Sequence, residues 1–266
     1  MTNDLATSPP FHTYSATTLV EGLQSQQWSS ETLTRYFLQR IEALNPDLHA
    51  VHFVNANAIA EAQALDARRA QGDALPPLAG LPMTLKDAFA VAGERTTYGL
   101  WLYKNHHSKK DAQVVNSLKQ AGLVFLGRSA VPTASFDWNC RNQLFTECVH
   151  PEQSDYSPGG SSGGAAAALA AGLTPLELGS DLGGSIRYPA HCCGVYGIRL
   201  SEGWVPFGDV GPNGKRSFRH LGACGPMANH LEDLALVLDL FANDFPDRRL
   251  KPFSQVSALP SQRPLR

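Results

Sequence analysis

The segment Ser157–Gly194, SPGGSSGGAAAALAAGLTPLELGSDLGGSIRYPAHCCG, carries two Gly-Gly-Ser steps, one ending at Ser161 and the other at Ser185. Glycine loses more backbone freedom on folding than any other residue, so paired glycines need a structural or chemical reason. The run Ala165–Gly172 is built from the strongest helix former, which places Gly163 and Gly164 at a helix N-terminus. Thr174–Asp181, TPLELGSD, has the length and apolar character of a buried strand and delivers Asp181-Leu182-Gly183-Gly184-Ser185 onto a second turn. Loop, helix, buried strand and turn in succession are the grammar of a layered α/β fold.

Three chemistries place glycine-rich loops ahead of helices. A phosphate cradle needs a lysine after its glycines, and none follows here. A G-x-S-x-G elbow is matched twice, around Ser161 and around Ser162, but an elbow rises from a buried strand, and Pro151–Pro158 (PEQSDYSP) is polar and broken by proline. The third is an oxyanion site. A glycine pair before a serine lets successive N–H groups converge, so Ser185 would be a nucleophile with the N–H groups of Leu182, Gly183, Gly184 and its own around the oxyanion. Two small-residue turns without chemistry remain an open alternative on composition alone.

A nucleophilic serine needs a base. His191 and His220 lie nearby in the chain, and either fits a surface or core role equally well. Lys86 ends the apolar stretch of GLPMTLKDAF (Gly80–Phe89), where burial would hold it neutral. Most lysines are solvated, so position alone does not select it.

Outward from this segment, helices alternate with short strands. Apolar residues at helical spacing run from Ser30 to Leu44, where Asn45-Pro46 is expected to stop the helix. A strand is expected over His49–Val54, a helix over Asn57–Gly72, a strand and loop from Gly80, a helix over Asp111–Gly122 and a strand over Leu123–Gly127. Asn229–Glu232 reads as a capping box for the helix that follows. The polar tail 246–266 holds Pro252, Pro260 and Pro264 and is expected to pack poorly against a domain spanning 1–245.

The 266 residues are 43% hydrophobic, enough for a substantial core. A formal charge of -2 offers nothing to nucleic acid or an anionic membrane surface. Five cysteines match neither metal-ligand spacing nor a disulfide framework, and the adjacent Cys192 and Cys193 read as small buried packing residues. No signal peptide or membrane-length apolar run is seen, so a cytoplasmic protein is expected.

These residues together resemble the amidase signature family. GLPMTLKD is similar to its lysine segment, GGSSGGAAAALAAG to its glycine-serine stretch, and GSDLGGSIRYPAHCCGVYG to its nucleophile segment. The interval 185 − 161 = 24 also agrees, and RTTYG, VVNSLKQAGLVFLGRSAVP and GACGPMANHLEDLALVLD extend the likeness from Ser15 to Phe241. The resemblance implies an α/β amidase signature fold, a mixed central sheet flanked by helices on both faces. It also implies a catalytic trio of Lys86, Ser161 and Ser185, with a cis peptide bond before the bridging Ser161. Lys86 would take the proton of Ser161, Ser161 that of Ser185, and Ser185 would form an acyl-enzyme with a carboxylic amide. Leu182 (threonine in many members), Gly183 and Gly184 would supply the oxyanion N–H groups. Ser162 and Ser180 would be supporting hydrogen-bond partners, and Asp181 and Arg187 would fix the loop through hydrogen bonds or an ion pair. No metal or cofactor is implied, and the partner is a small-molecule amide, without direct nucleic acid or membrane contact.

The chain is short for the family, so an incomplete fold is expected, and a homodimer or a missing carboxy-terminal half stays open. An A-type amidotransferase component, one that works on charged tRNA, shares the same trio and is the alternative. An inactive half that only binds partners is the non-enzyme reading.

Overall fold

The structure, a computed structural model, describes residues 9–207 and 221–245. His220 and the tail 246–266 lie outside the described residues. Helices α1 (Ala16–Gln24) and α2 (Ser30–Leu48) begin at Ser15 and Ser29, whose hydroxyls accept from Thr18 N at 3.1 Å and Thr32 N at 3.0 Å. Each start is capped a second time from afar. Asp233 accepts from Ala16 N at 2.8 Å and Thr17 N at 2.9 Å, and Asp66 accepts from Ser30 N at 2.8 Å and Glu31 N at 2.9 Å.

Helix α2 does not stop at Asn45-Pro46 as expected; it contains Pro46 and runs to Leu48, where His49 turns into the left-handed region at φ 53°. Asn45 explains the extra turn. Its carbonyl accepts from His49 N at 2.8 Å, and its side-chain amide exchanges two 2.8 Å bonds with the backbone of Val51, so the last turn is held from outside the helix.

Strand β1 (Val51–Val54), α3 (Ala58–Ala70), β2 (Pro82–Lys86), α4 (Gln113–Gln120) and β3 (Val124–Ser129) follow as read from the sequence. Then come α5 (Gly163–Ala170), β4 (Leu176–Asp181), α6 (Arg187–Cys193), β5 (Tyr196–Gly197), β6 (Ala223–Ala228) and α7 (Asp233–Asp244). The strands form two ladders. In β1-β3-β2, β1 is antiparallel and β2 parallel to β3, giving the mixed sheet; β4-β6-β5 is antiparallel. β2 and β4 lie side by side, so the two ladders share a seam. Thr174 stitches it, accepting from Thr84 N at 2.9 Å and donating to Leu176 O at 2.9 Å.

Strands β2, β3, β4 and β6 are buried along their whole lengths, the pattern of strands covered on both faces. Helix α5 packs on all four of them and on α6. Its alanines make this close approach possible: Gly163 through Leu169 are all buried. At Gly164 an added Cβ would stand 2.2 Å from Ala130 N.

The capping box expected at Asn229–Glu232 is not formed. Helix α7 starts at Asp233 without a side-chain cap, because Asn229 turns away and donates to Leu169 O at 2.7 Å. Strand β6 was not legible as a strand, since Gly225 and Pro226 stand in its middle. Tertiary fit admits them: a Cβ at Gly225 would lie 1.9 Å from Ile198 O, and Pro226 accepts from Ile198 N at 3.2 Å.

Candidate active site

Lys86 occupies the last position of β2 and has no exposed surface. Its Nζ lies 2.8 Å from Ser161 Oγ, 2.8 Å from Ser162 Oγ and 3.3 Å from Ser180 O. Burial lowers its pKa from 10.5 to about 7, against the opposing fields of Cys140, Asp181 and Glu177, because the ammonium loses its hydration and gains no paired carboxylate in exchange.

The hydrogen-bond pattern separates the two serines. Ser162 Oγ also donates to Ser180 O at 3.3 Å, so toward Lys86 it acts as an acceptor. A neutral amine has two N–H bonds and one lone pair. With Ser162 and Ser180 taking the N–H bonds of a neutral Lys86, its lone pair would be left for Ser161, 2.8 Å away, whose hydroxyl would then be the donor.

Ser161 follows a cis Gly160–Ser161 bond at the entrance to α5. Gly160 is pressed against another loop: a Cβ there would lie 2.5 Å from Asp137 O. Ser185 sits on the turn after β4, where Ser162 N donates to Ser185 O at 3.0 Å and joins the two Gly-Gly-Ser turns. Ser185 retains 8% exposure and opens onto a cleft of about 450 Å³. That cleft is also lined by Leu182, Gly183 and the loop Ser135–Asn139.

Asp181 organises the turn that carries Ser185. Its carboxylate accepts from Gly184 N at 2.8 Å and Ile186 N at 3.0 Å, and pairs with Arg187 through two 3.0 Å bonds. Burial alone would raise its pKa, but Arg187 and these N–H groups outweigh burial and hold it at about 2. Of the two expected means of fixing the loop, both are present: Asp181 takes hydrogen bonds from the turn and forms an ion pair with Arg187. One expectation needs correction: Gly184 N–H is committed to Asp181 and is not a free oxyanion donor. Among the described residues, no acceptor meets the N–H of Leu182, Gly183 or Ser185. Ser180 takes part through its carbonyl oxygen.

The candidate histidine His191 is exposed in the last turn of α6. Cys192 and Cys193, expected to be buried, are partly exposed; Cys193 lies against the glycine-serine loop, its Sγ 3.5 Å from Pro158 O.

The sequence reading missed a layer of buried charge beneath the site. Arg128, 2% exposed, donates to Lys86 O at 3.3 Å and to Phe89 O, and lies 3.9 Å from Asp87. Burial raises Asp87 to about 6, opposed by Arg128 and by its bonds from Thr97. Glu177, wholly buried in β4, is raised to about 7 by the same desolvation. A charged residue inside an apolar strand pattern was the available signal, at Glu177 in PLELG and at Arg128 in VFLGRS.

Comparison with known proteins identifies the family. A family model described as Amidase matches residues 32–264. The A-type subunit of glutamyl-tRNA(Gln) amidotransferase from Chromohalobacter salexigens is 40% identical over 233 residues, covering 87% of this chain and 47% of that protein. Its counterpart from Roseiflexus castenholzii is 41% identical over 228 residues, covering 85% and 45%. A bacterial aryl acylamidase belonging to the amidase signature enzymes superposes with a TM-score of 0.79 at 31% identity, over 87% of this chain and 48% of that one. A protein from a vestigial complex bearing on the origin of an s-triazine catabolic enzyme superposes at 0.80 with 34% identity, over 86% and 50%. The chain spans about half the length of the relatives it matches. Among the described residues, no helix is long and apolar enough to cross a membrane.

Proposed function

The chain belongs to the amidase signature family, and from that premise we propose that it cleaves a carboxylic amide through an acyl-enzyme on Ser185. The observation that carries this reading is Lys86: fully buried, lowered to about 7, and 2.8 Å from Ser161 Oγ. Neutral Lys86 accepts the proton of Ser161 as Ser161 accepts that of Ser185, and Ser185 Oγ adds to the amide carbonyl carbon. The tetrahedral oxyanion is held by the N–H groups of Leu182, Gly183 and Ser185. Collapse breaks the C–N bond, and Ser161 returns the proton to the leaving amine. Water then repeats the sequence on the acyl-enzyme, releasing the acid. Asp181 and Arg187 keep the turn in shape.

The test is labelling by a fluorophosphonate, which reacts with an activated serine beside formed oxyanion donors. Labelling is expected in the parent and absent in Ser185→Ala, with both chains equally folded by circular dichroism. Equal labelling of the two would overturn the assignment; an unlabelled parent would favour an inert, partner-binding half.

A second reading rests on the relatives named as A-type subunits of the amidotransferase. There the same trio would free ammonia for transfer to a charged tRNA inside a larger assembly. The net charge of -2 gives this chain no phosphate-binding surplus of its own, so partners would hold the tRNA. Copurification of a glutamine-dependent aminoacyl-tRNA activity supports this branch over a free hydrolase.

A further inference from the structure

Glu177 is a second buried ionisable group at the site, and no part of the proposed mechanism uses it. Its location follows from strand geometry. Side chains alternate along β4, so Glu177, Gly179 and Asp181 share one face. Ser162 lies over that face, its Oγ 3.1 Å from where a Cβ on Gly179 would be. Across the seam, Thr84 and Lys86 share a face of β2, and Ser129 of β3 is the register partner of Lys86. The carboxyl of Glu177 is therefore walled in by Thr84, Ser129 and the lysine end of β2.

This pocket is polar and unsaturated. Oε2 accepts from Leu178 N at 3.0 Å. Among the described residues Oε1 of Glu177, Oγ1 of Thr84 and Oγ of Ser129 are buried without a close hydrogen-bond partner. The two hydroxyls nevertheless lie near enough to the carboxyl to favour its ionised form. Burying a carboxyl strips its hydration, so a fold that only needed packing here would do better with an apolar residue.

We propose that Glu177 is a positioning residue that governs the charge on Lys86, and so the readiness of Ser161 to give up its proton. An ionised Glu177 favours the ammonium form of Lys86 and holds the base out of action; a neutral Glu177 releases it. The other ionisable groups around the pair are Arg128 from β3, which favours ionised Glu177, Asp181 further along β4, and Cys140 on the Lys86 side. Helix α5, packed over the same strands, brings only glycine, alanine and leucine. Two such groups titrate as a pair, each shifting the other. The proposal rests on Lys86 being the base of the proposed reaction.

The experiment reads Lys86 directly. In the full chain carrying 13C-lysine, the Lys86 Cε resonance, assigned by its loss in Lys86→Met, is titrated by NMR in the parent and in Glu177→Gln. Removing the negative charge while keeping the shape is expected to lower the Lys86 midpoint by about 0.5–1 pH unit, within the usual reach of one neighbouring charge. Ser129→Ala, a milder change that should fold even if Glu177→Gln does not, removes a hydroxyl favouring ionised Glu177 and should shift the midpoint the same way by less. An unchanged midpoint, or an upward shift, in either folded variant overturns the proposal. The rate of fluorophosphonate labelling against pH is measured alongside, and its acidic limb should move with the NMR midpoint. A loss of rate without a shifted limb would mean a packing role and would also overturn the proposal. A shifted midpoint in a chain that never labels would instead refute the amidase reading and leave the coupling standing.

Discussion

Lys86 sits where an apolar strand ends inside the protein, and its chemistry follows from the hydration it has lost. A lysine lowered to about 7 is neutral in a useful fraction at ordinary pH, and the neutral amine is the form that can accept a proton. The labelling rate of Ser185 should therefore rise about tenfold per pH unit below pH 7 and level off above it. Arginine stays charged throughout, so Lys86→Arg should lose about 10² to 10⁴-fold in rate and show no such limb. Measuring labelling between about pH 6 and 10 decides this, since the range brackets the shifted and ordinary lysine values; parental rates in the variant would exclude Lys86 as base. The same burial costs stability. Between pH 7 and 10.5 the unfolded chain binds the proton that the folded chain has given up, so stability rises with pH there; below 7 both forms are charged and the full penalty applies. Lys86→Met should accordingly unfold at higher urea than the parent at pH 6, by on the order of 1–4 kcal/mol, with the gain fading toward pH 10.5.

At the scale of elements, the helices are fixed at their ends by partners far away in the chain. Ser15 and Ser29 are ordinary N-caps, each acting within its own first turn. Asp233 acts from afar: it stands at the start of α7 and uses its carboxylate on Ala16 N, Thr17 N and, at 3.0 Å, the Thr17 hydroxyl. The helix whose start the sequence assigns to a capping box thus gives its first acidic residue to another helix. Asp233→Ala should lower stability by at least about 1–2 kcal/mol, because it strips a cap and leaves buried donors unpaired. A urea midpoint within error of the parent would show that α1 is capped adequately by Ser15 alone.

Across the whole molecule, the site belongs to a seam. Lys86 comes from the mixed ladder, Ser161 from the loop entering α5 and Ser185 from the turn after β4, so the three side chains stay together only while β2 and β4 remain side by side. Thr174 is the stitch, and Thr174→Val keeps its shape while leaving Thr84 N without an acceptor. The variant should lose about 1–3 kcal/mol, and its labelling rate should fall although Lys86, Ser161 and Ser185 are untouched. Unchanged labelling would place the alignment of the trio in the packing of α5 instead.

The sequence by itself determined the local pieces: the alanine helix, the buried strands around Leu85 and Leu178, the glycine pairs before Ser161 and Ser185, and the lysine at the end of an apolar run. Each of these is a matter of period, propensity or the missing side chain of glycine, which act over a few residues. Only the tertiary structure decided that Gly184 N–H serves Asp181, that α2 continues through Pro46, that β6 accommodates Gly225 and Pro226, and that Glu177 and Arg128 lie beneath the lysine. These outcomes depend on which strands become neighbours and on how much water is excluded between them. Hydrogen-bond partners and buried charges are set by that exclusion, and no window of sequence contains it.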